Sequence, residues 1–448
     1  MKFLSGFEST HIFGSGTDVL NLTGHTAFVE EDLKLASACN LDLMRYSVPW
    51  HSIERTQGVF DWTWIDKALD CMQDLGIEPI LDPLHHTSFP EWLTNGFANP
   101  KFDEHYLNFI KEVSARYPQI RYYTLINEPF VTALLCGHEG VWYPYQKNKK
   151  SFVSMILNMG KAICRISKHL TKTLDEAYFV HVDTCEKHRP MNLESIENAL
   201  FRNELRFLVA DLILGKINIH HPLYFYLLQN GADNKELEWF IENPSHIDIL
   251  GLDYYAHSEL EWDNGARIYP NRNPEGFAAV AMEYVNRYNL PVMLTETNIR
   301  GYVSDRLSWL KFMVEQCEIL ETRLVSKNIR FHGFCWYPFI DSTDWCSLLR
   351  CADGAIDPQG IFYLDDENLR RFSSELSDTF SALAKGSISS KNITAYRFQS
   401  PLDKELAGFL PLMKSWQWKE PFSYRQSRKI PVYKISNKSE ILPSEISY

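Results

Sequence analysis

Glu128 and Glu296 each close a short run of strand-forming residues, and a pair of such carboxyls could do chemistry that neither does alone. Glu128 ends the run YYTLINE, in which Tyr122, Tyr123, Thr124, Leu125 and Ile126 favour an extended, buried backbone. Pro129 follows, removes a backbone donor and biases Glu128 away from helical angles, so the strand stops there. Glu296 ends a second run, MLTE, behind Leu290, Pro291 and Val292. A lone acid at a strand end is ordinarily a salt-bridged structural residue. Two brought face to face suit cleavage of a glycosidic bond. One stays protonated near neutral pH and donates to the leaving oxygen, while the other stays charged and attacks the anomeric carbon. Burial and a nearby negative charge raise the first pKa; hydrogen bonds and positive neighbours keep the second low.

Such a pair needs a scaffold that gathers distant strand ends. Strand-like stretches fall at 3–9, 41–48, 78–85, 121–127, 176–183, 246–255, 291–296 and 329–337, with helical patterns between them. In the stretch 62–75, Trp64, Ile65, Ala68, Leu69, Met72 and Leu75 recur at helical spacing, and Gly76 and Pro79 follow as a stop. The stretch 305–324 behaves similarly. Eight alternations of strand and helix predict an α/β fold, a (β/α)8 TIM barrel whose catalytic face is the carboxyl end of the strands. A doubly wound open sheet is the second choice, and the Gly-rich phosphate turn expected after its first strand is absent. The long segments 256–273 and 339–365 read as strand-to-helix loops that build a rim. The barrel is assigned to residues 1–390 and a basic, aromatic C-terminal extension to 391–448, with Trp416, Trp418, Phe422 and Tyr424.

The formal net charge of −12 argues against nucleic acid as the main partner, because phosphate binding requires a basic footprint. That charge is unevenly spread: residues 391–448 carry ten Lys and Arg against five Asp and Glu. Such a tail could dock on its own barrel, on a neighbouring copy in a homo-oligomer, or on an anionic surface, and the first is preferred. No apolar run approaches the length of a membrane span. Nine scattered cysteines without CxxC spacing read as reduced core residues of a cytoplasmic protein.

The motifs carry a resemblance. The chain resembles clan A retaining glycoside hydrolases, most closely glycoside hydrolase family 1, the β-glucosidases and β-galactosidases, over roughly residues 1–370. TLINEP looks like that family's acid/base motif, which implies Glu128 as acid/base and Asn127 as a ligand of the sugar 2-hydroxyl. LTETN looks like its nucleophile strand and implies Glu296, with Thr297-Asn298 where the family has Asn-Gly. MRYSVPW is similar to the strand that places Arg45 beside the nucleophile, a role that suits an Arg next to a carboxylate. LHHTSFPEWL implies His86 as a sugar-hydroxyl ligand, with His85 on the other side of the pleat.

DILGLDYYAH is similar to the family's Gly-x-Asn-Tyr-Tyr, so Asp253 and Tyr255 would point inward, Tyr255 donating to the nucleophile. The family's Asn is Asp253 here, and an added acid would need a cation or a hydroxyl-rich substrate nearby. WYPFIDSTDW resembles the segment that supplies a tryptophan floor and an outer grip. It implies Trp336 beneath the sugar, and Asp344 with Trp345 in place of the family's Glu-Trp. The Gln after the first strand is missing, with Glu8 or His11 offered in GFESTHIF.

The resemblance implies an O-glycosyl hydrolase with no cofactor or metal, acting on a neutral β-linked sugar, because the phosphate-binding set of the 6-phospho branch does not follow Trp345. Two alternatives stand beside it: a transglycosidase serving a carbohydrate or lipid acceptor, and a catalytically silent sugar-binding barrel. His220, His221, His181, Asp183 and His188 are possible metal ligands by type, but ordinary core histidines are the more common case.

Overall fold

The computed structural model describes residues 1–365 and 367–421. Phe422 and Tyr424 of the extension lie outside the described residues. Eight parallel strands close into a barrel: β1 (Phe3–Gly6), β2 (Leu43–Ser47), β3 (Glu78–Asp82), β4 (Tyr122–Tyr123), β5 (Tyr178–Thr184), β6 (Ile249–Asp253), β7 (Val292–Glu296) and β8 (Phe331–Trp336). Each pairs with its neighbours in chain order, and β1 seals the ring by pairing with both β8 and β2. Seven fall within the stretches read from the sequence, and β5 runs one residue past its stretch, to Thr184. The regular part of β4 is shorter than expected, although Thr124 N still donates to Leu81 O and Asn127 N to Leu84 O, so the chain runs on beside β3.

The barrel interior is packed by Leu4, Leu43, Ile80, Val180, Val182, Ile249, Met293, Cys335 and Tyr337. These alternate with outward residues that meet the helices. The helical layer includes α1 (His25–Ala38), α2 (Thr63–Asp74), α3 (Phe102–Arg116), α4 (Lys149–Thr173), α5 (Leu208–Ile213), α6 (Phe277–Tyr288), α7 (Val303–Val325) and α8 (Glu375–Ala384). The predicted period is visible in α2, which buries Ile65, Ala68, Leu69 and Met72 and is ended by Gly76 at φ 70°.

Two sequence readings change in shape. The segment 256–273 is not simply loop: Glu259–Asp263 and Ala266–Ile268 form an antiparallel pair, and Lys187–Pro190 adds a third strand in parallel. Helix α7 carries buried residues around most of its circumference. One side packs on the barrel, and the chain beyond α8 covers another. Lys311 Nζ donates to Ser390 O, Ser308 Oγ to Tyr396 O, and Trp416 Nε1 to Glu315 Oε2, while the Phe409 ring sits against Trp309 and Phe312. Among the described residues, no helix is long and apolar enough to cross a membrane.

Candidate active site

The carboxyl ends of β2, β3, β4, β6 and β7 converge on Arg45. Its fork is fully buried and reaches three partners. Nη1 donates to Glu296 Oε1 at 2.5 Å, while Nη2 donates to Asn127 Oδ1 at 2.6 Å and to Asp82 Oδ2 at 3.2 Å. Gly6 makes room for this. A Cβ there would stand 2.7 Å from the Arg45 carbonyl oxygen and 2.8 Å from the Tyr337 ring. That ring lies under the guanidinium, 4.9 Å from the carbon to the centroid.

Glu296 reaches the pocket because β7 is irregular. Leu294 pairs with Leu252 and Glu296 with Asp253, so two steps of β7 face one of β6. A bulge of this kind re-aims the side chain that follows it. Thr295 consequently faces inward as well, and its hydroxyl donates to Asp253 Oδ1 at 2.6 Å. Tyr255 Oη donates to Glu296 Oε2 at 2.7 Å, so both nucleophile-candidate oxygens hold a donor. Glu128 leaves β4 at φ 41°, a left-handed backbone that a non-glycine residue adopts at a cost. Its N–H is tied to Val182 O, and Pro129 starts a short helix beyond it. Carboxyl oxygens of Glu128, Asp253 and Glu296 all lie within 4.8 Å of one another.

Electrostatics separate the members of this cluster. Burial, then the charges of Glu296, Asp253 and Asp183, push the Glu128 carboxyl well above the usual carboxylate range. Burial and Glu296 do the same to Asp253. Asp183, on β5 behind Glu128, is pushed up to about 8 by burial. It was singled out in the sequence only as a metal-ligand type; here its oxygens accept the Phe130 and Thr184 N–H groups.

Both histidines of LHHTSF belong to the site, which corrects the expectation that His85 would face away. His86 takes φ 50°, and this left-handed step breaks the alternation of the pleat. His85 Nδ1 lies 2.7 Å from Asp82 Oδ2 and its Nε2 3.5 Å from Glu8 Oε1. Burial works against its charge, but Asp82 and Glu8 outweigh it and raise the pKa. His86 Nε2 is 3.7 Å from Glu128 Oε2, and its ring neighbours Trp142 and Trp345. Burial, His85 and Arg45 hold it well below the usual imidazole range.

Two implied sugar contacts are not where the resemblance put them. Trp336 is fully buried, faces the outer layer and donates its Nε1 to Gln359 O. By alternation it is Tyr337 that points into the barrel, stacked near His85 and donating to Phe7 O. Asp344 turns away from the pocket. Its carboxylate accepts the backbone N–H groups of Asp353, Gly354 and Ala355, and so fastens its own loop. Trp345 remains at the rim and donates to Glu8 Oε2 at 3.2 Å. Of the two substitutes offered for the missing Gln, Glu8 is in the site, whereas His11 is stacked on His51.

Asp82 and Tyr337 were missed by sequence reasoning. The rule that picked Glu128 and Glu296, an acid closing an apolar strand, also fits EPILD and could have found Asp82; nothing local marks Tyr337. Two of the other histidines weighed as metal ligands have partners elsewhere: His221 meets Asp211 at 3.1 Å, and His188 lies between Glu186 and the Trp262 indole.

Known proteins bear on this geometry. A family model described as β-galactosidase, of glycoside hydrolase family 42, matches residues 23–112. Solved structures of β-glucosidase from Thermotoga maritima superpose with a TM-score of 0.71 at 17% identity, covering 86% of this chain and 98% of theirs, in the complex with a methoxycarbonyl-substituted glucoimidazole. The deoxynojirimycin complex gives a TM-score of 0.72 at 17% identity, covering 86% of this chain and 97% of that one. At that identity they establish the fold. A curated relative, β-glucosidase 29 of Arabidopsis thaliana, is 26% identical over 439 aligned residues, 81% of this chain and 72% of its own. In this chain the glutamates of TLINEP and LTETN meet at one barrel mouth. The chain is similar to the family 1 β-glucosidases. Against the family 1 pattern that it resembles, the chain differs at Glu8, Asp253, Thr297 and Asp344. The side chain at 297 is occupied structurally: Thr297 Oγ1 accepts from the Trp309 indole.

Proposed function

We propose that this glycosidase hydrolyses a neutral β-linked glycoside with retention, by double displacement through a glycosyl-enzyme. The observation that carries the reading is the meeting of Glu128 and Glu296 within 4.8 Å, with opposite surroundings. Retaining enzymes keep their two carboxyls roughly 5–5.5 Å apart, whereas inverting ones leave a wider gap for water. Glu296, held by Arg45 and Tyr255, attacks the anomeric carbon. Glu128, kept protonated by burial and by its anionic neighbours, gives its proton to the leaving oxygen. Once the aglycone departs, Glu128 is the carboxylate that takes a proton from water. The water attacks the anomeric carbon, the bond to Glu296 breaks, and both side chains regain their starting states. Asn127, fixed by Arg45, and His86 are placed to accept and donate at ring hydroxyls.

Incubation with a panel of 2-fluoro-glycosyl probes (gluco, galacto, manno, fuco, xylo) tests this. Mass spectrometry is expected to find the adduct on Glu296 with at least one sugar. An adduct on another residue, or none across the panel, removes the double-displacement reading.

A further inference from the structure

Four carboxyls crowd the base of this site. Glu128, Asp183, Asp253 and Glu296 come from β4, β5, β6 and β7, and the cation among the groups around Asp253 is Arg45 from β2. Arg45 already serves Glu296, Asp82 and Asn127. The other groups facing Asp253 are Thr295 on β7, the Tyr255 phenol, and the Cys185 and Cys335 thiols. Burial holds both thiols above the usual thiol range, so neither is a counter-charge.

Within this cluster Asp253 is satisfied on one side only. Oδ1 accepts from Thr295, whereas Oδ2 is buried with no hydrogen-bond partner. A buried anionic oxygen without a donor is costly, about 1–3 kcal/mol for an unsatisfied polar group and more for a charge. A proton on that oxygen removes the cost and turns an orphaned acceptor into a donor. Asp253 and Glu128 lie within 4.8 Å of each other, beyond one hydrogen bond and within the reach of two meeting at a shared oxygen. The family places an amide at this position, so the consequence belongs to this chain.

We infer that Asp253 keeps a proton on Oδ2 and, through a substrate oxygen lodged between the two side chains, positions Glu128, so that the two acids titrate as one dyad. Burial and mutual repulsion both act in that direction. The charge count stays constant through the reaction. At the start Glu296 is the anion. When it becomes an ester, Glu128 has lost its proton to the leaving oxygen and is the anion instead. Asp253 stays neutral and offers its O–H towards the new carboxylate. An ionised Asp253 would put a second anion beside it with no cation to spare.

The inference rests on the two-carboxylate reading, and its test keeps the two separable. The first measurement needs no substrate: infrared difference spectroscopy of the intact protein across pH, following the carbonyl band of protonated carboxyls. The wild type is expected to show one more buried protonated carboxyl than Asp253→Asn, and equal bands overturn the inference. The second is the pH profile of kcat/KM on an aryl glycoside. The wild-type basic limb is expected to fall in two waves, because the dyad's last proton is held by its negative neighbour. Asp253→Asn should fall in one wave, about one pH unit lower. A uniform loss at every pH, or an unmoved limb, makes Asp253 an ordinary ligand or structural residue. Thr295→Val provides a second variant: it keeps Asp253 but removes the donor to Oδ1, so the upper wave should move up, and an unmoved wave counts against the inference. If no glycoside is turned over while the extra band persists, the glycosidase reading fails and the protonation of Asp253 stands.

Discussion

Glu128 shows how much a side chain's surroundings decide its chemistry. Its buried carboxyl and anionic neighbours favour the protonated form of an acid that would be ionised in water. Because that pKa is raised, proton donation is available below it and is lost as pH rises through it. Glu128→Gln keeps the size and removes the proton. General acid catalysis is worth about 10²–10⁴-fold, so kcat/KM for glycosides with poor leaving groups should fall by about that much. Activated aryl glycosides, which need little protonation, should lose less. Steady-state kinetics on two leaving groups check this, and equal small losses on both would contradict the acid role. Arg45 was legible through MRYSVPW, which resembles the strand that sets an Arg beside the nucleophile. Its fork to three partners was not, because those partners lie on three other strands.

The elements explain which implied contacts moved. The β7 bulge lets Thr295 and Glu296 both serve the site, although strict alternation allows only one of them. Past β8, Asp344, Leu348 and Leu349 all take left-handed φ values near 60°, 52° and 58°. A loop bent in this way brings three N–H groups onto the Asp344 carboxylate. Its role is therefore to hold Trp345 at the rim rather than to grip a sugar. Asp344→Ala leaves those donors without an acceptor and should cost about 1–3 kcal/mol of local stability. The expected signature is a lower Tm and a raised KM, the latter through the displaced Trp345. Thermal melts with aryl-glycoside kinetics check it; an unchanged Tm with abolished turnover would return Asp344 to the substrate.

The protein as a whole should carry a pH dependence set by its buried acids. Burial pushes the Asp183 carboxyl up from its ordinary 3.8 to about 8. Between those values the native state binds a proton that the unfolded chain has released, so stability falls as pH rises through that window. The contribution is complete below about 4 and lost above about 8. Glu128 and Asp253 are shifted in the same direction and add to it. Asp183→Asn removes one such group while keeping an oxygen for the Phe130 or Thr184 N–H. The drop in unfolding free energy from pH 5 to pH 9 should therefore shrink in the variant, by an amount on the order of a few kcal/mol. Chemical denaturation at both pH values measures it, and an identical drop in both proteins would show Asp183 ionising normally.

By themselves, the residues determined the barrel and its two acids. Alternating periods of two and 3.6, Gly76 ending a helix, and Pro129 stopping a strand are short-range effects, written within a few residues of where they act. Folding decided the rest: which way Trp336 and Tyr337 divide across the wall, that His85 turns in with His86, that Asp344 closes a loop, and that Asp253 is left with an unpartnered oxygen among carboxyls. Each depends on a bulge, on a left-handed residue, or on neighbours drawn from strands far apart in the chain. Electrostatic and packing energies act through space, so only the closed barrel brings their terms together.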